Sequence, residues 1–257
     1  MDKKATAVLS AVKERYEAIL EQKLVGIYVH GSIAFDCFCW AASDIDYIVV
    51  VREDLTMEEK AALMETTVAI NRSAPPKGLE MSVVHLRHCL CFRHPTPFLL
   101  HYSNVHAAHY AANPAAYCAE MNGLDEDLAA HFTVIRHKGM VLCGAEIQDV
   151  FAPVPKEFYL ESIQADVRYA ITRAGENPVY CVLNLCRVLA YMADGAVLSK
   201  REGGEWGLAH LPSAYGALIA AALADYVDEE EKSKACAAME PEAVARFCKE
   251  AERITFE

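Results

Sequence analysis

The sequence predicts an α+β protein, a mixed sheet with helices on it followed by a bundle of helices, and three observations carry that reading. Apolar, β-rich runs bounded by turn residues fall early in the chain: Leu24 to Val29, Tyr47 to Val51 and Leu79 to Val84. Beyond Asn113 the periodicity is largely helical. Phe151-Ala-Pro-Val-Pro155 reads as the best linker, so the boundary is placed near 150 to 156, giving domains 1–152 and 153–257.

In chain order, Ala5, Leu9, Val12, Tyr16, Ile19 and Leu20 recur at helical spacing within Asp2 to Gln22, with Lys and Glu between them, which predicts an amphipathic helix packed on the sheet. Two strands follow. Thr56-Met-Glu-Glu59 has the form of a capping box and opens a helix to about Asn71, which Ser73-Ala-Pro-Pro-Lys-Gly78 then breaks. The third strand carries Glu80. Residues 1 to 86 thus have the order helix, strand, loop, strand, helix, strand, which suits a small mixed sheet. Phe98 to Ser103 is a candidate further strand. Asn113-Pro114 and Asn177-Pro178 each read as an N-cap followed by proline at the first helical position, and Asp125 is read as the start of a helix ending near Gly139. Helices at about 157 to 174, 178 to 193, 213 to 227 and 241 to 252 complete the bundle, with Leu183, Val188, Leu189 and Met192 among its core positions.

The chemistry concentrates between Leu24 and Arg52. The first strand stops at Gly31-Ser32, and eleven residues later Asp44-Ile45-Asp46 opens the second. Residues two apart on a strand share a face, so Asp44 and Asp46 project together while Ile45 points into the core. Like charges so close are costly unless a cation sits between them, and Mg²⁺ takes one or two carboxylates plus substrate phosphates. Gly31 lets backbone approach a ligand closely, and Ser32 offers a hydroxyl and an N–H to a phosphate oxygen. Glu80, flanked by apolar Leu79 and Met81, faces away from them and supplies a third acid.

This arrangement resembles the nucleotidyltransferase superfamily that includes DNA polymerase beta. The phrases Asp127-Leu-Ala-Ala, Asn184-Leu-Cys-Arg187 and Ser199-Lys-Arg-Glu-Gly-Gly-Glu-Trp-Gly-Leu-Ala-His-Leu-Pro212 are similar to the aminoglycoside (3″)(9) adenylyltransferases, so the resemblance spans nearly the whole chain. It implies a polymerase-beta-like N-terminal domain and transfer of AMP from ATP to a hydroxyl of an aminocyclitol or aminoglycoside. Asp44 and Asp46 would hold Mg²⁺, and Glu80 would act as general base, with a third metal-ligand role as its competitor. Gly31, Ser32 and Ser43 are assigned to the nucleotide, and so, by position in the family pattern, are Asp127, Arg187, Lys200 and Tyr226. Family members that accept streptomycin carry a Trp and an Asp before the helix containing Arg187, and a further Asp at its start. This chain has Arg168, Arg173 and Asn177 there, which implies that spectinomycin is the better acceptor.

Composition bounds the alternatives. A net charge of −12 argues against a nucleic-acid binder, because phosphate backbones require a basic face, and favours a cationic small molecule. No window approaches eighteen consecutive apolar residues, and the start Met-Asp-Lys-Lys-Ala lacks an apolar signal core, so neither a membrane span nor export is expected. The ten cysteines are scattered and read as reduced thiols of a cytoplasmic protein, expected to be monomeric. Cys89 and Cys91, with His85, His88 and His94 nearby, lack the ligand-pair spacing of a structural zinc site. Two further readings stand beside the antibiotic one: the same fold modifying a protein or other metabolite, and a non-catalytic nucleotide-binding protein.

Overall fold

A computed structural model describes residues 2–227 and 239–256. It divides into two compact units, Met1–Tyr159 and Leu160–Glu257, against a sequence reading that divides the chain at 152/153.

The first unit begins with α1 (Lys3–Leu20), capped by Asp2, whose carboxylate accepts from the N–H groups of Lys4 and Ala5. After a 3₁₀ turn comes β1 (Leu24–Val29), then the four-residue α2 (Gly31–Ala34), β2 (Ile45–Val51), α3 (Met57–Asn71) and β3 (Leu79–His85). The α3 capping box forms as read: the Glu59 N–H donates to Thr56 Oγ1 at 3.2 Å and the Thr56 N–H donates to Glu59 Oε2 at 2.7 Å. α4 (Leu86–Leu90) leads to β4 (Thr96–Tyr102), and α5 (Ala107–Ala112) and α6 (Pro114–Glu120) precede β5 (Gly123–Asp125). α7 (Leu128–Lys138), β6 (Met140–Gly144) and α8 (Ile147–Val150) complete it. Asp125 therefore ends a strand paired to Thr96 rather than starting a helix; the helix starts after Asp127, two residues on. That correction follows from pairing across chain, which local capping signals do not reveal.

The six strands lie in the order β5-β4-β3-β2-β1-β6. Among the described strands only β2 and β3 are parallel, joined by α3 as the crossover that a parallel pair requires. One sheet face packs against α1, α3 and α6 through Leu9, Val12, Ile27, Ile45, Tyr47, Leu63, Met81 and Tyr117. There the Tyr16 hydroxyl bonds Thr67 Oγ1 at 2.5 Å and the Tyr47 hydroxyl at 3.0 Å, which satisfies all three buried groups. The opposite face packs Tyr28, Ile48, Val50 and Val84 against Phe132, Ile135 and Phe151. This second face ends, toward the C-terminal end of β1, in polar side chains, and those make the site. Cys89 is part of that core and Cys91 is exposed.

The second unit is built from most of α9 (Lys156–Thr172), then α10 (Pro178–Asp194), α11 (Lys200–His210), α12 (Gly216–Val227) and α13 (Pro241–Phe256). Helix α10 is its centre, packed by α11, α12 and α13. Asn177 caps it, accepting from the Tyr180 N–H at 3.0 Å, with Pro178 at the first turn as read from sequence. Leu183, Val188 and Leu189 are buried, but Met192 is 37% exposed and is not core, since it falls on the outer face of the last turn. A second capping box, Ser199 with Glu202, opens α11 and escaped the sequence reading.

Candidate active site

The site is laid out by strand register. β1 and β2 run antiparallel with Val29 opposite Tyr47, and the His30 N–H continues the ladder by donating to the Asp46 carbonyl at 3.0 Å. β2 and β3 run parallel with Asp46 beside Glu80. His30 directly after β1, Asp46 on β2 and Glu80 on β3 therefore stand side by side on the same face as Tyr28, Ile48 and Val84. Ile45, between the two aspartates, is fully buried on the other face, as its alternation requires.

The Asp44, Asp46 and Glu80 carboxylates each offer an oxygen within 4.8 Å of the others, and among the described residues they are the one such cluster of three or more metal-ligating side chains. Burial pushes the Glu80 carboxyl above the usual range, and the Asp44, Asp127 and Asp125 charges push the same way, against His131. Acids gathered like this want a counter-cation, and hard oxygen donors of this number suit Mg²⁺.

The adjoining corner is shaped for close approach. Gly31 has φ +61°, and a Cβ there would lie 1.8 Å from Asp46 Oδ2, so glycine is required both by backbone conformation and by the carboxylate. Ser32 Oγ is buried without a hydrogen-bond partner. A buried hydroxyl left unpaired is costly, and a ligand oxygen at this corner would satisfy it. These features fit a metal-nucleotide: carboxylates for the ion, a cradle only glycine allows, and an orphan donor beside them.

The other residues singled out by sequence take several positions. Ser43 is buried, and its hydroxyl accepts from the Cys39 N–H at 3.1 Å, tying the loop that delivers Asp44. Asp127 lies at the start of α7, with His131 Nε2 3.3 Å from its Oδ2. Arg187, Lys200 and Tyr226 belong to the second unit. There Arg187 Nε donates to Asn184 Oδ1 at 3.1 Å, Lys200 Nζ sits 5.0 Å over the Tyr180 ring, and Tyr226 is half-buried near the end of α12.

Two histidines went unread. His131 sits one turn after Asp127 on α7, and its ring lies 4.6 Å from that of buried His30. Burial alone would lower the His131 pKa, but Asp127, Glu80 and Asp125 outweigh it and push it up to about 10, while burial and His131 hold His30 well below its ordinary value. An Asp and a His four apart on a helix was the available signal, since such pairs face each other.

A mixed sheet that gathers a glycine-serine corner and paired acids on one face defines the nucleotidyltransferase class of fold. Comparison with known proteins narrows it. Residues 149–251 match the family model described as the C-terminal domain of aminoglycoside adenylyltransferases. An aminoglycoside (3″)(9) adenylyltransferase of Escherichia coli is 26% identical over 251 residues, covering 94% of this chain and 92% of that one. A spectinomycin 9-adenylyltransferase of Enterococcus faecalis is 21% identical, covering 86% and 87%. The solved structure of an enterococcal spectinomycin adenyltransferase, AAD(9), crystallised with ATP and spectinomycin, superposes with a TM-score of 0.80 at 18% identity over 98% of this chain and 99% of that one. The chain is thus similar to the aminoglycoside (3″)(9) adenylyltransferases along nearly its whole length, as its motifs implied.

Proposed function

We propose that this protein is a Mg²⁺-dependent adenylyltransferase that moves AMP from ATP to a hydroxyl of an aminocyclitol antibiotic, spectinomycin rather than streptomycin. The observation that carries the reading is the meeting of Asp44, Asp46 and Glu80 within 4.8 Å, beside the unpartnered Ser32 hydroxyl. Asp44 and Asp46 would hold the ion, which when bound neutralises phosphate charge and supports the leaving pyrophosphate. Glu80 takes the proton from the acceptor hydroxyl as its oxygen bonds to the α-phosphorus and the bond to the β-phosphate oxygen breaks. Its raised affinity for a proton, caused first by burial, moves it toward the working range of a general base. Gly31 and Ser32 orient the triphosphate. Arg187, Lys200 and Tyr226 are assigned to the nucleotide by their place in the family pattern, and the domain boundary is placed at 152/153 on the Phe151-Ala-Pro-Val-Pro155 linker.

The acceptor choice draws on the second unit. Arg168 stacks 4.5 Å from the Phe256 ring, Arg173 pairs with Glu176 at 3.1 Å, and Asn177 is occupied as a helix cap. Where streptomycin-accepting relatives have a Trp and two acids, this chain has two guanidiniums and a committed amide, which favours the smaller spectinomycin. A net charge of −12 suits a cationic acceptor and argues against nucleic acid. No helix among the described residues is long and apolar enough to cross a membrane. We place the protein in a reduced, ATP-containing cytoplasm, where the described free thiols would persist. We take the working form to be a monomer.

The test is pyrophosphate release from Mg²⁺ and ATP, GTP, CTP or UTP with spectinomycin, streptomycin or a panel of candidate proteins. Release with ATP and spectinomycin alone is expected. Release only with protein acceptors redirects the assignment to protein modification, and release with none of them overturns it.

A further inference from the structure

His131 carries an unused donor beside the acidic cluster. Its Nε2 is 3.3 Å from Asp127 Oδ2, which fixes the ring from one side, and His30 stacks against it at 4.6 Å between ring centroids. Its Nδ1 has no hydrogen-bond partner and no exposed surface. Ser32 Oγ is in the same condition, and α2, which carries Ser32, packs against α7, which carries His131. Two buried, unsatisfied groups thus lie on neighbouring elements that pack together. Both would be satisfied by one ligand rich in acceptor oxygens.

We propose that His131 is a nucleotide-binding residue, its Nδ1–H donating to a phosphate oxygen of ATP while Asp127 holds the ring through Nε2. The proposal rests on the adenylyl-transfer reading for the identity of the ligand. Charge chooses among the site's two substrates. The carboxylates of Asp127, Glu80 and Asp125 keep the ring protonated, so both ring nitrogens are donors and neither is a metal ligand. A fixed imidazolium attracts phosphate and repels the ammonium groups of an aminocyclitol, so the nucleotide is the partner. His30 completes the support: it follows β1 directly, precedes Gly31, and its buried ring backs the imidazolium.

The experiment compares full-length wild-type protein with His131→Leu, His131→Gln and His131→Asn. Calorimetry measures affinity for Mg-ATP, for adenosine, which lacks the phosphates, and for spectinomycin, with melting temperatures recorded for each variant. His131→Leu and His131→Gln should weaken Mg-ATP binding about tenfold or more, the scale of one lost hydrogen bond to a charged group. Gln retains an amide at the Nε2 position and so keeps Asp127 partnered, which separates lost ligand contact from lost folding if the leucine variant is unstable. Asn places an amide near Nδ1 and should recover part of the loss. Adenosine and spectinomycin affinities should stay within about twofold of wild type. Unchanged Mg-ATP affinity in His131→Gln, or equal weakening of adenosine and ATP, overturns the proposal. Wild-type protein that binds ATP but releases no pyrophosphate with any acceptor overturns the transfer reading and leaves this comparison standing; wild-type protein that binds no nucleotide overturns both.

Discussion

On the proposed reading the side chain that bears most on activity is Glu80, and its environment sets two opposing outcomes for one substitution. Burial and neighbouring acids raise its pKa, so its ionised form is costly in the folded state. For a raised carboxyl the contribution to stability is full below the unfolded value and is lost as pH rises through the folded one. Glu80→Gln removes that loss. The variant should therefore melt higher than wild type at pH 7 without Mg²⁺, while turnover falls by about 10²-fold or more and Mg-ATP affinity is kept. A parallel collapse of Mg-ATP affinity would make Glu80 a metal ligand instead. Asp46→Asn should behave the other way, weakening Mg-ATP binding measurably by calorimetry. Unchanged affinity would misplace the ion. Gly31→Ala sets a methyl 1.8 Å from Asp46 Oδ2 at φ +61°, so both the fold and the carboxylate must shift. A cost above about 1 kcal/mol in denaturant unfolding and near-complete loss of activity are expected.

Elements carry the next set of consequences. Helix α3 is the crossover that makes β2 and β3 parallel and so places Asp46 beside Glu80. Its capping box anchors it, and Lys23 Nζ adds a bond to Glu59 Oε2 at 3.0 Å. Thr56→Ala should cost about 1 kcal/mol of stability, read as a lower unfolding midpoint with an unchanged denaturant slope, and should leave the assay's kcat intact. In the second unit, α11 approaches α10 through small residues. A Cβ at Gly203 would stand 2.7 Å from Arg187 Cγ and 3.0 Å from the Arg187 backbone nitrogen, so glycine lets the two helices close up around Arg187. The Gly203-Gly204 pair reads from sequence as part of a family phrase; its packing reason needs the helix pair.

At the scale of the molecule, acidity and histidine burial shape behaviour with pH. His101, on β4, bonds Ser82 Oγ through Nδ1 at 2.8 Å. Burial, then His106 and His131, hold its pKa down at about 4, against an ordinary 6.5. The unfolded chain thus takes up this proton first as pH falls, so stability present above 6.5 should be lost progressively down to about pH 4. Chemical denaturation at intervals across that window should show the decline, and His101→Gln should make it shallower. An equal slope in the variant would show that other groups dominate.

Much of this was legible from local pattern. The strand runs, the Thr56 capping box, the Asn-Pro helix starts, and the trio Asp44, Asp46 and Glu80 follow from alternation and spacing, because pleat and helix periodicities are properties of short segments. Register decided the rest. Whether Glu80 stands next to Asp46 depends on a parallel pairing across an intervening helix. That Asp125 belongs to β5 depends on pairing with Thr96, and the Asp127, His131 and His30 cluster depends on α7 lying against the end of β1. The sequence by itself determined which acids and turn residues this protein has to offer. Tertiary structure alone decided which of them meet and left Ser32 Oγ and His131 Nδ1 without hydrogen-bond partners, because unsatisfied donors and shared charge arise from distances between segments far apart in the chain.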